Sequence, residues 1–94
     1  MISEEKKLDK IKGCLVGMAI GDAIGVHLEF KPYGKYDIKG FVEGNPYKIP
    51  MGHWTDDTSM ALCIAESLIK YKGFNGYDQV MNYIEWYTNG YMSS

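Results

Sequence analysis

Apolar residues return at spacings of three and four along three stretches of the chain, and between the first and second of them no period survives. Leu8, Ile11, Leu15, Met18 and Ala19 form the first stripe, Met60, Ala61, Ile64, Ala65 and Leu68 the second, and Val80, Met81, Ile84 and Tyr87 the third. Each is the pattern of an amphipathic helix with those residues turned inward. Ser3 can cap the first helix, with Glu4 and Glu5 in its first turn, where the helix dipole favours negative charge. The second helix is expected to start near Asp56 or Asp57 and run to about Tyr71, with Gly73 as its stop. The third is expected from about Tyr77 or Asp78 to Asn89, stopped by Gly90.

From Lys31 to His53 the chain is punctuated by Pro32, Gly34, Gly40, Gly44, Asn45, Pro46, Pro50 and Gly52, which predicts a long loop. Loops beyond about 12 to 15 residues are uncommon in compact domains and are mostly functional or disordered. Tyr33, Tyr36, Phe41 and Tyr47 argue against disorder, because disordered segments lack aromatics. A short strand is expected around Asp37 to Val42.

Composition narrows the field. With 94 residues, 46% of them apolar and 14% aromatic, the chain is one small globular domain, 1–94, or one part of a larger one. A chain this short buries only about 60 to 65% of its unfolded surface and sits at the margin of independent stability. The net charge of -2 lacks the basic excess that a phosphate backbone requires, so nucleic acid is not an expected partner. Lys6, Lys7, Lys10 and Lys12 alternate with Glu4, Glu5 and Asp9 as on a solvated helix face. Cys14 and Cys63 lie in apolar stretches without a CxxC pair and read as buried thiols of a reducing compartment. The N-terminus has no signal-peptide core. Gly13 to Ala23, the least polar run, is too short to span a bilayer and contains Asp22. A soluble cytoplasmic protein, with no membrane partner, is the expectation.

Two features admit a functional reading beside the packing one. Glycine recurs at every fourth position, Gly13, Gly17, Gly21 and Gly25, and each interior helix glycine costs roughly 0.8 to 1.0 kcal/mol relative to alanine. Close approach of another helix would account for the groove, as would room for a ligand beside Asp22. Asp22 falls on the apolar stripe seven residues after Leu15, where a carboxylate must be paired, protonated or cation-bound. The second feature is Thr55-Asp56-Asp57 at the mouth of a helix. These are good capping and first-turn residues, each acid gaining about 0.3 to 1 kcal/mol from the dipole. They are also hard oxygen ligands of the type magnesium and manganese take. Side chains fan about 100° apart within a helix, but the non-helical cap residue lets these three converge at its entrance.

The combination of "GCLVGMAIGDAIGVHLEF" at 13 to 30 with "GHWTDDTSMALCIAESLI" at 52 to 69 resembles the N-terminal part of the ADP-ribosylglycohydrolases, the family of dinitrogenase-reductase-activating glycohydrolase and the ADP-ribosylhydrolases. With the tail "YIEWYTNGYMSS" the resemblance covers nearly all 94 residues. It implies an all-α fold, here a truncated orthogonal helix bundle of three main helices with a long loop between the first and second. It also implies a site for two Mg2+ or Mn2+ ions and hydrolysis of the glycosidic bond of ADP-ribose on a modified protein side chain. On that pattern Thr55, Asp56 and Asp57 are metal ligands, Glu29 positions or deprotonates the attacking water, and Asp22 is a structural support. Metal-bound water and a nearby carboxylate make chemical sense together, since the ion lowers the water's pKa and the acid handles the proton.

The family's second acidic motif, D-x-D-T or D-x-D-S, has no counterpart here, and Asp78 is the sole aspartate after Asp57. Two carboxylates and a hydroxyl leave most of two octahedral shells to water, which predicts weak metal binding. Two readings follow. The chain is the N-terminal segment of a glycohydrolase, carrying half a site and inactive without the rest. Alternatively, it is a shortened, non-catalytic member that binds a protein partner, for example a phage or mobile-element anti-defence inhibitor of the anti-CRISPR type. Helix faces left uncovered in a shortened bundle would favour self-association into a homo-oligomer, or a partner. His27 and His53 read as ordinary loop and helix-end residues, and Trp86 with Tyr83, Tyr87 and Tyr91 as packing residues.

Overall fold

Ser3 opens the first helix as its sequence context predicts: its hydroxyl accepts the Lys6 backbone N–H at 3.2 Å, with Glu4 and Glu5 in the first turn. This helix, α1, spans Glu4–Gly25 and runs on into a 3-10 turn at Val26–Leu28, where the Val26 N–H bonds the Asp22 carbonyl. In the computed structural model, residues 2–29, 34, 40, 41 and 49–94 are described. They fall in two compact units, Met1–His53 and Trp54–Ser94.

Among the described residues, nothing covers the inward stripe expected on α1. Leu8, Ile11, Leu15 and Met18 are 40 to 58% exposed, as are Val16 and Ile20 between them. Apolar residues therefore lie on several sides of the helix and no single face is selected. Among the described residues of this unit, Ala23 and Val26 are the buried apolar ones. Cys14, expected inside, is exposed. A Cβ built on Gly13, Gly17, Gly21 or Gly25 meets no atom within 4 Å, so the close helix approach expected at these glycines is absent among the described residues. Glu4–Leu28 is continuous over 25 residues with a mean hydropathy of 1.4 in its most apolar window. By length and composition it is long enough to cross a membrane, unlike the shorter Gly13–Ala23 run considered from sequence.

The strand expected at Asp37 to Val42, and most of the aromatic loop around it, lie outside the described residues. Helix α2 spans Asp56–Tyr71. Its stop is Lys72, left-handed at φ 54°, rather than Gly73. Helix α3 spans Gly76–Asn89, slightly earlier than expected, because Asn75 caps it through a 2.9 Å bond from the Asp78 N–H. Gly90 ends it at φ 75°, as expected.

The two helices meet through small polar side chains instead of the predicted apolar stripes. On α2, Ser59, Cys63 and Ser67 recur every fourth residue and are at most 2% exposed, while of the expected face Ala61, Ile64 and Ala65 are half-buried and Met60 and Leu68 are turned out. On α3, Asn82 faces this seam and its amide donates to the Cys63 carbonyl and to Glu66 Oε2, each at 3.0 Å. The Cys63 thiol donates to the Asn82 carbonyl at 3.5 Å. Val80, Met81, Ile84 and Tyr87, expected inside, are 43 to 84% exposed. Short side chains let two backbones come close enough for direct hydrogen bonds, which longer apolar residues at the same positions would prevent. Burial, with the Glu66 carboxylate adding to it, pushes the Cys63 thiol pKa up. Lys70 Nζ stands 3.8 Å from Asp78 Oδ1 at one end of the seam, and the Ser67 hydroxyl is buried without a hydrogen-bond partner.

Candidate metal site at the entrance of helix α2

Thr55 is the N-cap of α2 by backbone position, yet its hydroxyl caps no helical N–H. It donates instead to Asp56 Oδ1 at 3.3 Å, and the same oxygen accepts the Asp57 N–H at 3.1 Å. Asp56 thus takes over part of the capping role from within the first turn. This is the helix-dipole function expected of an acid there. The first intrahelical bond follows directly, from the Ser59 N–H to the Thr55 carbonyl at 3.1 Å. Thr55 is half-buried, while Asp56 and Asp57 are exposed to incoming ligands.

The donor set suits a hard cation. Six oxygens around magnesium or manganese at about 2.1 Å place neighbouring ligands about 3.0 Å apart. The 3.3 Å between Thr55 Oγ1 and Asp56 Oδ1 is that of the hydrogen bond joining them. Hydroxyl and carboxylate oxygens are also the ligand types this class of ion takes. Among the described residues there is no cluster of three or more carboxylate, imidazole or thiolate groups fit to complete a shell.

The other two residues singled out from sequence belong to the first unit. Asp22 is half-buried in the last turn of α1, and its carbonyl receives the helix-ending Val26 N–H. Glu29 follows the 3-10 turn, exposed, with its N–H on the Val26 carbonyl at 3.3 Å. His27 acquires a local role: its Nδ1 lies 3.1 Å from the Ile24 carbonyl, which can only accept, so that nitrogen carries the proton. A hollow lined by Ser3, Glu5, Lys6, Leu8, Asp9 and Lys12 lies on the first turns of α1 and mixes acids with lysines, as a solvated surface does.

Four further residues bracket the acidic turn, and sequence reasoning passes over their role. The Met92 carbonyl accepts the Trp54 indole N–H at 3.1 Å and the Ser59 hydroxyl at 3.0 Å. Ser94 Oγ returns a bond to the Trp54 carbonyl at 3.0 Å. Trp54 and Ser59 flank the motif, so their position was a signal, but a backbone carbonyl acceptor leaves no trace in a side-chain pattern.

Comparison with known proteins agrees with the motif. The model of the ADP-ribosylglycohydrolase family matches residues 3–94. An ADP-ribosylarginine hydrolase of Serratia proteamaculans is 48% identical over 94 residues, covering all of this chain and 26% of that protein. A second, from Pseudomonas putida, is 40% identical over 89 residues, covering 95% and 24%. A solved structure described as an ADP-ribosylglycohydrolase-related protein complex superposes with a TM-score of 0.80 at 42% identity, covering 93% of this chain and 31% of its own. The chain therefore spans about a quarter of the length of the curated relatives it matches. An all-α chain whose W-T-D-D-T motif enters a helix, matched by the family model from Ser3 to Ser94, belongs to the ADP-ribosylglycohydrolase family.

Proposed function

We propose that this chain supplies one half of the metal-dependent site of an ADP-ribosylglycohydrolase, and that the bond cleaved joins ADP-ribose to an arginine side chain of a modified protein. The observation that carries the reading is the set of hard oxygen donors, Thr55, Asp56 and Asp57, at the entrance of α2 in a chain that the family model matches over residues 3–94. The arginine assignment rests on the two hydrolases that match at 48 and 40% identity. Thr55, Asp56 and Asp57 would hold Mg2+ or Mn2+, which when bound acidifies water and neutralises charge on the substrate. Glu29 orients a water and takes its proton, and Asp22 supports the end of α1. With two carboxylates and one hydroxyl the set is incomplete, so hydrolysis requires further acidic ligands beyond these residues. The setting is cytoplasmic. α1 serves as a bundle helix rather than a membrane span, since Asp22 at bilayer depth would cost several kcal/mol.

A non-catalytic reading, in which the chain binds a protein partner or a second copy of itself, is favoured by the exposed Leu8, Ile11, Leu15, Val80, Ile84 and Tyr87. Thermal unfolding in EDTA, in millimolar Mn2+, and in Mn2+ with ADP-ribose separates the two. A ligand at 100 times its Kd raises stability by about 2.7 kcal/mol. The glycohydrolase reading expects a metal-dependent rise in Tm, enlarged by ADP-ribose and abolished in Asp56→Asn with Asp57→Asn. A transition indifferent to both ligands defeats it and favours the binding role.

A further inference from the structure

The turn after α3 does more than end a helix. Gly90 and Met92 are both left-handed, at φ 75° and 64°, and together they fold the chain back so that the Met92 carbonyl points at the entrance of α2. A left-handed methionine is uncommon and costs about 1 to 2 kcal/mol, a cost that persists only where surrounding contacts impose it. Here the contacts are visible. One carbonyl takes two donors, the Trp54 indole N–H at 3.1 Å and the Ser59 hydroxyl at 3.0 Å. Ser94 Oγ adds a third bond, to the Trp54 carbonyl at 3.0 Å. Trp54 immediately precedes Thr55, and Ser59 stands one turn after it, with its own N–H on the Thr55 carbonyl at 3.1 Å. The acidic motif is therefore held from both ends by one acceptor.

We infer that the Met92 carbonyl, acting through Trp54 and Ser59, is a positioning clamp for the metal-ligating turn Thr55–Asp57. This rests on the metal reading above for its functional meaning, though not for its geometry. Asp56 and Asp57 are exposed and adjacent, and like charges side by side tend to swing apart in water. The backbone that carries the ligands must be in place when the ion arrives, and groups that orient ligands are commonly worth 10 to 100-fold in metal affinity. Trp54 and Ser59 touch neither ion nor substrate in this assignment. They fix the backbone from which the ligands project. Ser59 is 2% exposed, so its hydroxyl has no water to fall back on if the carbonyl is withdrawn.

The test uses the 94-residue chain, with Mn2+ titrated by electron paramagnetic resonance and amide exchange followed across Asp57 to Met60. Ser59→Ala and Trp54→Phe remove one donor each, the second keeping the aromatic bulk. Ser59→Thr restores the hydroxyl. Asn82→Ala loosens the α2–α3 seam without touching the clamp. The clamp expects about tenfold weaker Mn2+ binding and about tenfold faster exchange in the first two variants. It expects recovery in Ser59→Thr and wild-type affinity in Asn82→Ala. Equal losses in Asn82→Ala overturn it, because general destabilisation then explains the effect. Unchanged affinity and exchange in Ser59→Ala and Trp54→Phe also overturn it. A wild-type chain that binds no Mn2+ but shows the exchange pattern upholds the clamp and removes the metal reading instead.

Discussion

Asn82→Ala tests whether the polar seam holds the α2–α3 pair together. Both amide hydrogens of Asn82 are used, one on the Cys63 carbonyl and one on Glu66 Oε2, each at 3.0 Å. The first is a neutral bond worth about 1 kcal/mol, and the Cys63 carbonyl keeps its helical partner when the amide is lost. The second involves a carboxylate and is worth about 1.5 to 3 kcal/mol when buried. Glu66 is half-buried, so water recovers part of this, leaving about 1 kcal/mol. Alanine returns about 0.5 kcal/mol of helix propensity. The net loss is about 1.5 kcal/mol, equivalent to a fall in Tm of about 6 to 12 °C for a chain of this size. Urea unfolding at neutral pH measures it, and an unchanged m-value keeps the comparison valid. A double-mutant cycle with Glu66→Gln isolates the charged bond and is expected to give a coupling of about 1 kcal/mol. Strict additivity in that cycle, or Asn82→Ala within about 0.3 kcal/mol of wild type, refutes the idea that this seam is held by its hydrogen bonds.

Three other outcomes follow from the same geometry. Ser67→Ala removes a buried hydroxyl that has no partner, so unlike most changes at a fully buried residue it is expected to stabilise by about 0.5 to 1 kcal/mol in urea unfolding. Lys72→Gly relieves the left-handed backbone after α2 and is expected to raise the urea midpoint by about 1 kcal/mol equivalent; a fall would mean that the lysine side chain contributes more than its strain costs. The raised Cys63 pKa gives a pH dependence whose sign is fixed. Below the ordinary thiol value of 9.0 both folded and unfolded chains are protonated and the contribution is complete. Above 9.0 the unfolded thiol ionises first, so stability declines as pH climbs toward the folded value. Urea midpoints from about pH 8 to about 10.5 should fall more steeply in wild type than in Cys63→Ser, and parallel curves would count against it.

The helices were legible in the sequence because their signals are local. Ser3, Gly90 and the Thr55-Asp56-Asp57 entrance act on neighbouring residues, and the structure has each at a helix boundary. The packing faces were not legible. α2 carries two stripes at helical spacing, Met60-Ile64-Leu68 and Ser59-Cys63-Ser67, and periodicity alone favours the more apolar one. Helix approach selected the smaller one, since short side chains admit direct bonds from Asn82. Gly73 was a reasonable stop for α2, but a left-handed Lys72 has no signature in a single sequence. At the site, the motif was readable and the way it is held was not. The acceptor is the main-chain carbonyl of Met92, and main-chain geometry at φ 64° cannot be inferred from a methionine.

The bonds of the second unit differ in how much chain each must close. Those that join α2 to α3 link residues 16 and 19 positions apart, whereas those of the Met92–Ser94 turn close spans of 33, 38 and 40. Short loops close at lower entropic cost and so earlier, so the helix pair zips up before the turn docks. Docking of the turn onto the acidic entrance is then expected to follow helix pairing, and hydrogen exchange of the Trp54 indole N–H against the α2–α3 amides measures the order. A brief opening of the last five residues would release Trp54 and Ser59 while both helices stay intact. Amide exchange from Asp57 to Met60 would quicken at temperatures where circular dichroism still reports both helices.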